Sequence, residues 1–205
     1  MRIKGLTITA LAIGLTAGLA STASVAQELD NWIGASFGNA DFNFNTLSGI
    51  TPSSLDDSGT AGKIYLGIPF TKNVGLEIGY VSLGRAYTTG TIGTAAANST
   101  LKSESIFNFD LMGSFNVTEK GSLFAKGGFY RWNTSVDTTI GGTYSAFSDN
   151  GWDFTYGVGG QYDLTKDLSV RLEWERFNSL GFSGTSGTTN PDLISVGVIY
   201  KFKIL

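Results

Sequence analysis

The sequence has no cysteine and no histidine in 205 residues, only 3 prolines, and 15% charged side chains. Without cysteine there are no disulfides and no thiolate metal sites. Without histidine the commonest general base and the usual zinc and haem ligand are missing, so no cofactor and no metal are expected. Basic charge is scarce as well: 14 Lys and Arg stand against 17 Asp and Glu, with a pI near 4.9. Such a chain has no positive field to hold a phosphate backbone, so nucleic acid is excluded as a partner. After residue 27 no apolar run reaches the ~18 residues of a spanning helix. What is plentiful is Gly (28), aromatic residues (13%) and hydrophobic residues (41%). That composition excludes disorder, and the length suits one domain or one barrel.

The first 26 residues read as an export signal. Arg2 and Lys4 precede an apolar stretch from Leu6 to Ala20, and Ser24-Val25-Ala26 places small residues before a cut at Gln27. The apolar core is short for an uncleaved anchor of ~20 residues. The expectation is a cleaved signal peptide over 1–26 and one domain over 27–205, with 12 basic against 17 acidic residues once the leader is gone.

Beyond the leader, apolar residues recur at every second position, the period at which strand side chains alternate between faces. Phe107, Phe109, Leu111, Gly113, Phe115 and Val117 share one face; Asn108, Asp110, Met112, Ser114 and Asn116 share the other. Ile194, Val196, Val198, Tyr200 and Phe202 repeat the pattern, as do Leu168, Val170, Leu172 and Trp174 against Arg171, Glu173 and Glu175. Strands are predicted near 31–39, 61–70, 74–84, 104–116, 122–132, 152–163, 168–178 and 192–202. They match the ~9–11 residues of a tilted membrane-crossing strand better than the ~5–6 of a soluble one. Three connections are short: 71–73, 117–121 and 164–167. The other four, 40–60, 85–103, 133–151 and 179–191, are long and rich in Gly, Ser, Thr and Asn. Short turns at one rim and long loops at the other predict an all-β, eight-stranded antiparallel up-and-down transmembrane barrel, with periplasmic turns and extracellular loops.

Polarity agrees with that architecture. Lys63, Glu77, Asp110, Lys126, Arg171 and Glu173 fall on the parity opposite the apolar face, which places them inside. A charge facing lipid at mid-depth would cost roughly 2–4 kcal/mol. Tyr80, Tyr162, Trp174, Tyr200 and Phe202 lie toward strand ends, where aromatic girdles mark membrane interfaces.

Four segments carry a family resemblance. VGLEIGYVSLGRA (74–86) resembles the third strand of the OmpA transmembrane domain, and GSLFAKGGFYRW (121–132) its fifth. YDLTKDLSVRLEWERF (162–177) is similar to the third turn and seventh strand, and LISVGVIYKF (193–202) to the last. The resemblance implies an eight-stranded barrel in the outer membrane of a Gram-negative bacterium. OmpA-type proteins continue into a soluble peptidoglycan-binding domain; this sequence stops at Leu205, so a barrel without that domain is expected. Outer-membrane lipid and lipopolysaccharide are the implied partners of the wall. Barrel-assembly machinery and periplasmic chaperones are implied during biogenesis, and a host or phage ligand at the outer loops.

In that family a Glu on strand three and an Arg on strand seven pair across the lumen and are proposed to gate a narrow pore. The matching positions are Glu77 and Arg171. The family's alternative partners, a Lys and a Glu, fall on Met112 and Gln161, so partner switching of that kind lacks its residues. Asp110, Lys126, Glu173, Lys63 and Gln161 form the remaining predicted lumen network. It reads either as a gate or as a static plug that satisfies buried charge.

Outer-membrane enzyme barrels such as lipid A acyltransferases, lipid A deacylases, phospholipases and omptin-type proteases depend on a catalytic histidine absent here, so no catalytic residue is assigned. Glu173 and Glu175, two apart on one strand, line a lumen rather than form an acid–base pair. Gly157-Val158-Gly159-Gly160 is not followed by a helix pattern and fails as a nucleotide loop. The expected role is structural, with two alternatives: a narrow diffusion pore controlled by the lumen salt bridges, and a loop-borne adhesin or recognition surface.

Overall fold

Alternating small, apolar and polar residues with almost no proline leave the backbone free to pair along its whole length, and pairing dominates the fold. The computed structural model describes residues 29–43, 51–181 and 189–203; the expected leader, 1–26, lies outside the described residues. Among the described residues there is no helix and there are ten strands. They are β1 (Asn31–Asp41), β2 (Thr51–Asp56), β3 (Ser58–Pro69), β4 (Val74–Ser82), β5 (Gly84–Ile92), β6 (Ala95–Asn116), β7 (Gly121–Ile140), β8 (Thr143–Asp163), β9 (Leu168–Phe177) and β10 (Asp192–Phe202).

Eight of them close a ring in the order β1-β3-β4-β6-β7-β8-β9-β10, every pairing antiparallel. The seam joins β1 to β10 in continuous register from Asn31↔Phe202 to Asp41↔Asp192. Closure pairs every strand on both sides, which a sheet in a bilayer requires.

At the inner rim three turns share one chemistry. Thr71 Oγ1 accepts the N–H of Asn73 (3.2 Å) and Val74 (3.0 Å). Thr118 does so for Lys120 (3.4 Å) and Gly121 (2.7 Å), and Thr165 for Asp167 (3.3 Å) and Leu168 (3.0 Å). Each threonine thereby caps a turn whose backbone donors would otherwise face only water.

The long outer connections are themselves mostly β-structure. β5 pairs with the first half of β6 (Gly84↔Ser103 to Ile92↔Ala95), and β2 adds to β5. β7 and β8 continue well past the ring to Ile140↔Thr143. The Gly, Ser, Thr and Asn content of 85–103 and 133–151 predicts loops, whereas both are largely strand. Thr, Tyr, Val and Ile within them favour strands, and tight turns close the hairpins. Gly141 (φ 55°) and Gly142 (φ 87°) both occupy the left-handed region that a two-residue hairpin turn demands. A register shift between Ser103 and Ser105 marks where β6 exchanges its partner β5 for β4.

Alternation sorts the faces. Outside are Ile33, Phe37, Ile64, Phe107, Phe109, Leu111, Phe129, Leu172 and Val198, among other large exposed apolar residues. Such a surface is untenable in water and suits lipid. Inside, from inner to outer rim, lie a small vestibule, a charged layer and an apolar cluster.

Candidate functional site

The charged layer is built by strand parity. β9 contributes Arg171, Glu173 and Glu175 at successive inward positions; β3 contributes Lys63, β4 Glu77, β6 Asn108 and Asp110, and β7 Lys126. Each of these side chains is buried. Small inward residues at Gly79, Gly128 and Gly157 leave room for them; a Cβ at Gly128 would lie 2.8 Å from Asp110 Oδ1.

Lys126 is the hub. Its Nζ lies 2.6 Å from Glu173 Oε1, 2.9 Å from Glu175 Oε1, and 3.2 Å from both Glu77 Oε1 and Asp110 Oδ2. Lys63 Nζ holds the other oxygens of Glu173 (2.7 Å) and Glu175 (3.0 Å). Arg171 Nη1 reaches Glu77 Oε2 at 2.6 Å. Asn108 Nδ2 donates to Asp110 Oδ2 (2.7 Å) and Glu175 Oε1 (3.2 Å). Buried charges are tolerated when they are paired and hydrogen-bonded in this way.

Aromatic rings floor the layer. The Arg171 guanidinium lies between Tyr65 (4.7 Å to the ring centre) and Phe124 (4.6 Å), and Lys63 sits 5.1 Å from the Tyr65 ring. Toward the inner rim a cavity of about 210 Å³ is lined by Trp32, Asn73, Met112, Ser114, Ser122, Gln161, Asp163 and Lys201, among others. Trp32 leans across β3 because Gly67 carries no side chain; a Cβ there would fall inside its ring. On the outer side the lumen is filled by a cluster that includes Ala40, Phe42, Val81, Leu83, Ile106, Tyr130, Trp132, Phe177, Leu180 and Leu193. Tyr130 meets Phe177 edge-on at 5.2 Å, and its hydroxyl donates to the Asn178 carbonyl at 2.6 Å.

The structure brings Glu77, Arg171, Lys63, Asp110, Lys126 and Glu173 into one contact network. Gln161 also points into the lumen but one level nearer the inner rim, where its amide reaches Asp163 (3.4 Å). Asp163 is held there by Lys201 (2.8 Å) and Ser169 (2.6 Å). β8 is richly supplied with glycine between Gly157 and Gly160 and sends no charge into the layer. Glu175 and Asn108, both on the inward parity, complete the network. Tyr65 and Phe124 carry no charge to announce them. Met112, where the family has a basic partner, places its sulfur 3.8 Å from Arg171 Nη2.

The five predicted interface aromatics all sit on the outward parity of their strands. Tyr80 packs edge-on against Phe107 (5.0 Å), and Trp174 against Tyr156 (5.8 Å). Tyr162, Tyr200 and Phe202 lie near the inner rim. Phe109 and Trp152, stacked at 6.5 Å, extend the aromatic wall on the outer half.

Beyond the ring, on the outward face of the β6–β7 extension, Lys102 Nζ meets Asp137 Oδ2 at 2.5 Å and the Tyr144 hydroxyl donates to Asp137 Oδ1 at 2.9 Å. The hydrogen bond from Lys102, then that from Tyr144, holds the Asp137 carboxyl below its usual range. The same contacts hold the Lys102 ammonium and the Tyr144 hydroxyl above theirs. Among the described residues no acidic grouping suits a metal ion.

Comparison with known proteins agrees with this architecture. A family model described as the outer membrane protein beta-barrel domain matches residues 8–202. Outer membrane protein A of Serratia marcescens is 27% identical over 209 residues, covering 96% of this chain and 56% of that protein. Outer membrane protein A of Salmonella typhi is 29% identical over 202 residues, covering 95% and 55%. The chain thus spans about half the length of these curated relatives. Among solved structures, Neisserial surface protein A superposes with a TM-score of 0.54 at 14% identity, over 84% of this chain and 97% of that one. The protein is a barrel of the Gram-negative outer membrane, and the chain belongs to the outer membrane protein beta-barrel domain family.

Proposed function

We propose that the protein is a structural element of the outer membrane, a sealed barrel that reinforces the envelope and carries an outward-facing sheet. The observation that supports this is the double closure of the lumen, by the ion layer around Lys126 and by the apolar cluster around Tyr130 and Phe177. An eight-stranded barrel is just wide enough for its side chains to fill. On this reading Glu77–Arg171 is a plug that fixes β4 to β9, and the outward aromatics Tyr80, Tyr162, Trp174, Tyr200 and Phe202 are anchors at the two interfaces. Lipid and lipopolysaccharide are its standing partners, and periplasmic chaperones and the assembly machinery its transient ones.

Single-channel recording of the refolded chain from Gln27 onward tests it, with folding verified by the mobility difference between unheated and boiled samples in detergent gels. The expected result is silence, in wild type and in Arg171→Ala alike, because the apolar cluster still fills the lumen when the ion layer is broken. Reproducible steps in wild type that change in Arg171→Ala would replace the plug with a gated pore.

A second reading, surface recognition, is favoured by the extension of β2, β5, β6, β7 and β8 beyond the ring. Its outward face presents Tyr87, Thr89, Asn98, Thr100 and Tyr144 on strands rather than on loose loops. Replacing residues 136–147 by a two-residue turn is expected to keep the heat-modifiable barrel while removing adhesion to host surfaces or phage adsorption. Unchanged binding would exclude this hairpin as the recognition element.

A further inference from the structure

We propose that the lumen ion layer binds one proton, seated on Asp110 beside Glu77. Three cations, Lys63, Lys126 and Arg171, face four carboxyl groups, Glu77, Asp110, Glu173 and Glu175, in a layer closed to water. Four ionised carboxylates would leave one negative charge unbalanced in a buried site, a costly arrangement.

The donors show the same shortfall. The Lys126 ammonium has three N–H groups for four carboxylates within 3.2 Å. Glu173 and Glu175 each have a second cation in Lys63, and Glu77 has Arg171. Asp110 has none besides Lys126. Its Oδ2 takes the Asn108 amide at 2.7 Å, while its Oδ1 is buried without a partner, as is Asn108 Oδ1.

Register adds the reason for the pair. Glu77 and Asp110 are direct cross-strand partners on β4 and β6, both pointing inward. Like charges so placed repel, and two adjacent carboxyl groups relieve the repulsion by sharing one proton. A metal cation is a poor substitute, because the Lys126 ammonium already occupies the point where the four carboxyl groups converge. Among the described residues the charged groups of this layer around Asp110 are Glu77 from β4, Lys126 from β7, Lys63 from β3, and Arg171, Glu173 and Glu175 from β9. The uncharged group bonded to Asp110 is Asn108, and Gly128 lies against its Oδ1. Asp153, Asp163 and Lys201 belong to other levels of the lumen.

Infrared spectroscopy of the folded protein in D2O, combined with thermal unfolding, tests the assignment. Wild type is expected to show the carbonyl band of a protonated carboxyl group at neutral pD, and Asp110→Asn to lose it. Asp110→Asn mimics the protonated acid, so it should melt no lower than wild type, whereas Glu173→Gln, which removes a needed charge, should melt lower. Wild type should lose stability as pH rises above about 4, where the unfolded chain's Asp110 ionises but the folded layer keeps its proton, and level off once that proton leaves; Asp110→Asn should lack this fall. Absence of the band overturns the proposal. So does a band that persists in Asp110→Asn, or a fall in melting temperature for Asp110→Asn matching that of Glu173→Gln. Stability that rises with sodium over choline at equal ionic strength, without the band, overturns it in favour of a metal ion.

Discussion

Arg171 meets Glu77 at 2.6 Å across the lumen, tying β9 to β4, strands that do not adjoin in the sheet. Arg171→Ala leaves Glu77 with Lys126 alone, at 3.2 Å, in a layer that already has more carboxyl groups than cations. The expected loss is about 3–5 kcal/mol, the range for removing one member of a buried ion pair. Denaturant unfolding in detergent micelles checks it. The double variant Glu77→Gln with Arg171→Met, which removes both charges, should recover a large part of the loss.

The outer sheet carries its own pH window. Asp137 is held below the usual carboxylate value of ~3.9, so its contribution is present above about pH 4 and fades as pH falls through the lowered value. Lys102 and Tyr144 are held above their usual values of ~10.4 and ~10. Their contributions are present below about pH 10 and fade as pH rises through the raised values. Amide protection factors across 136–144, exchange rates taken relative to the intrinsic rate at each pH, should therefore be highest on a plateau between those limits. In Asp137→Asn the acid edge of the plateau should vanish.

The three threonine-capped turns give a third test. Thr71→Val, Thr118→Val and Thr165→Val each delete an oxygen that accepts two backbone N–H groups. Water replaces part of that bonding at an exposed rim, so each change should cost about 0.5–1.5 kcal/mol. The turns share no partners, so the triple variant should show the sum within a few tenths of a kcal/mol. Unfolding midpoints of the four variants and the wild type measure this.

Strand parity made the ring and most of its charged interior legible, because period-2 alternation needs no knowledge of what lies opposite. Glu175 shares its parity with Glu173, yet only the register shows Lys63 and Lys126 reaching both. Gln161 shows what parity leaves open. It has the inward parity but lies nearer the rim, and depth depends on the stagger between strands, which sequence does not print. Tyr65 and Phe124 are indistinguishable by type from lipid-facing aromatics, and their position under Arg171 follows from parity together with three-dimensional closure. The hairpins of 85–103 and 133–151 were hidden by composition, since Thr, Ser and Asn serve exposed strands and loops alike. The signal available was the Gly141-Gly142 pair between Ile140 and Thr143.

The seam between β1 and β10 sets the order of events in folding. Asn31 pairs with Phe202, so the contact that shuts the ring joins residues from opposite ends of the folded chain. Loop-closure entropy makes such a contact slow to form. Until it forms, two strand edges lie open in a medium that offers them no hydrogen bonds. A nascent barrel halted before β10 is thus not a smaller stable barrel but an open sheet with two adhesive edges, and commitment to the membrane waits for the last strand to arrive.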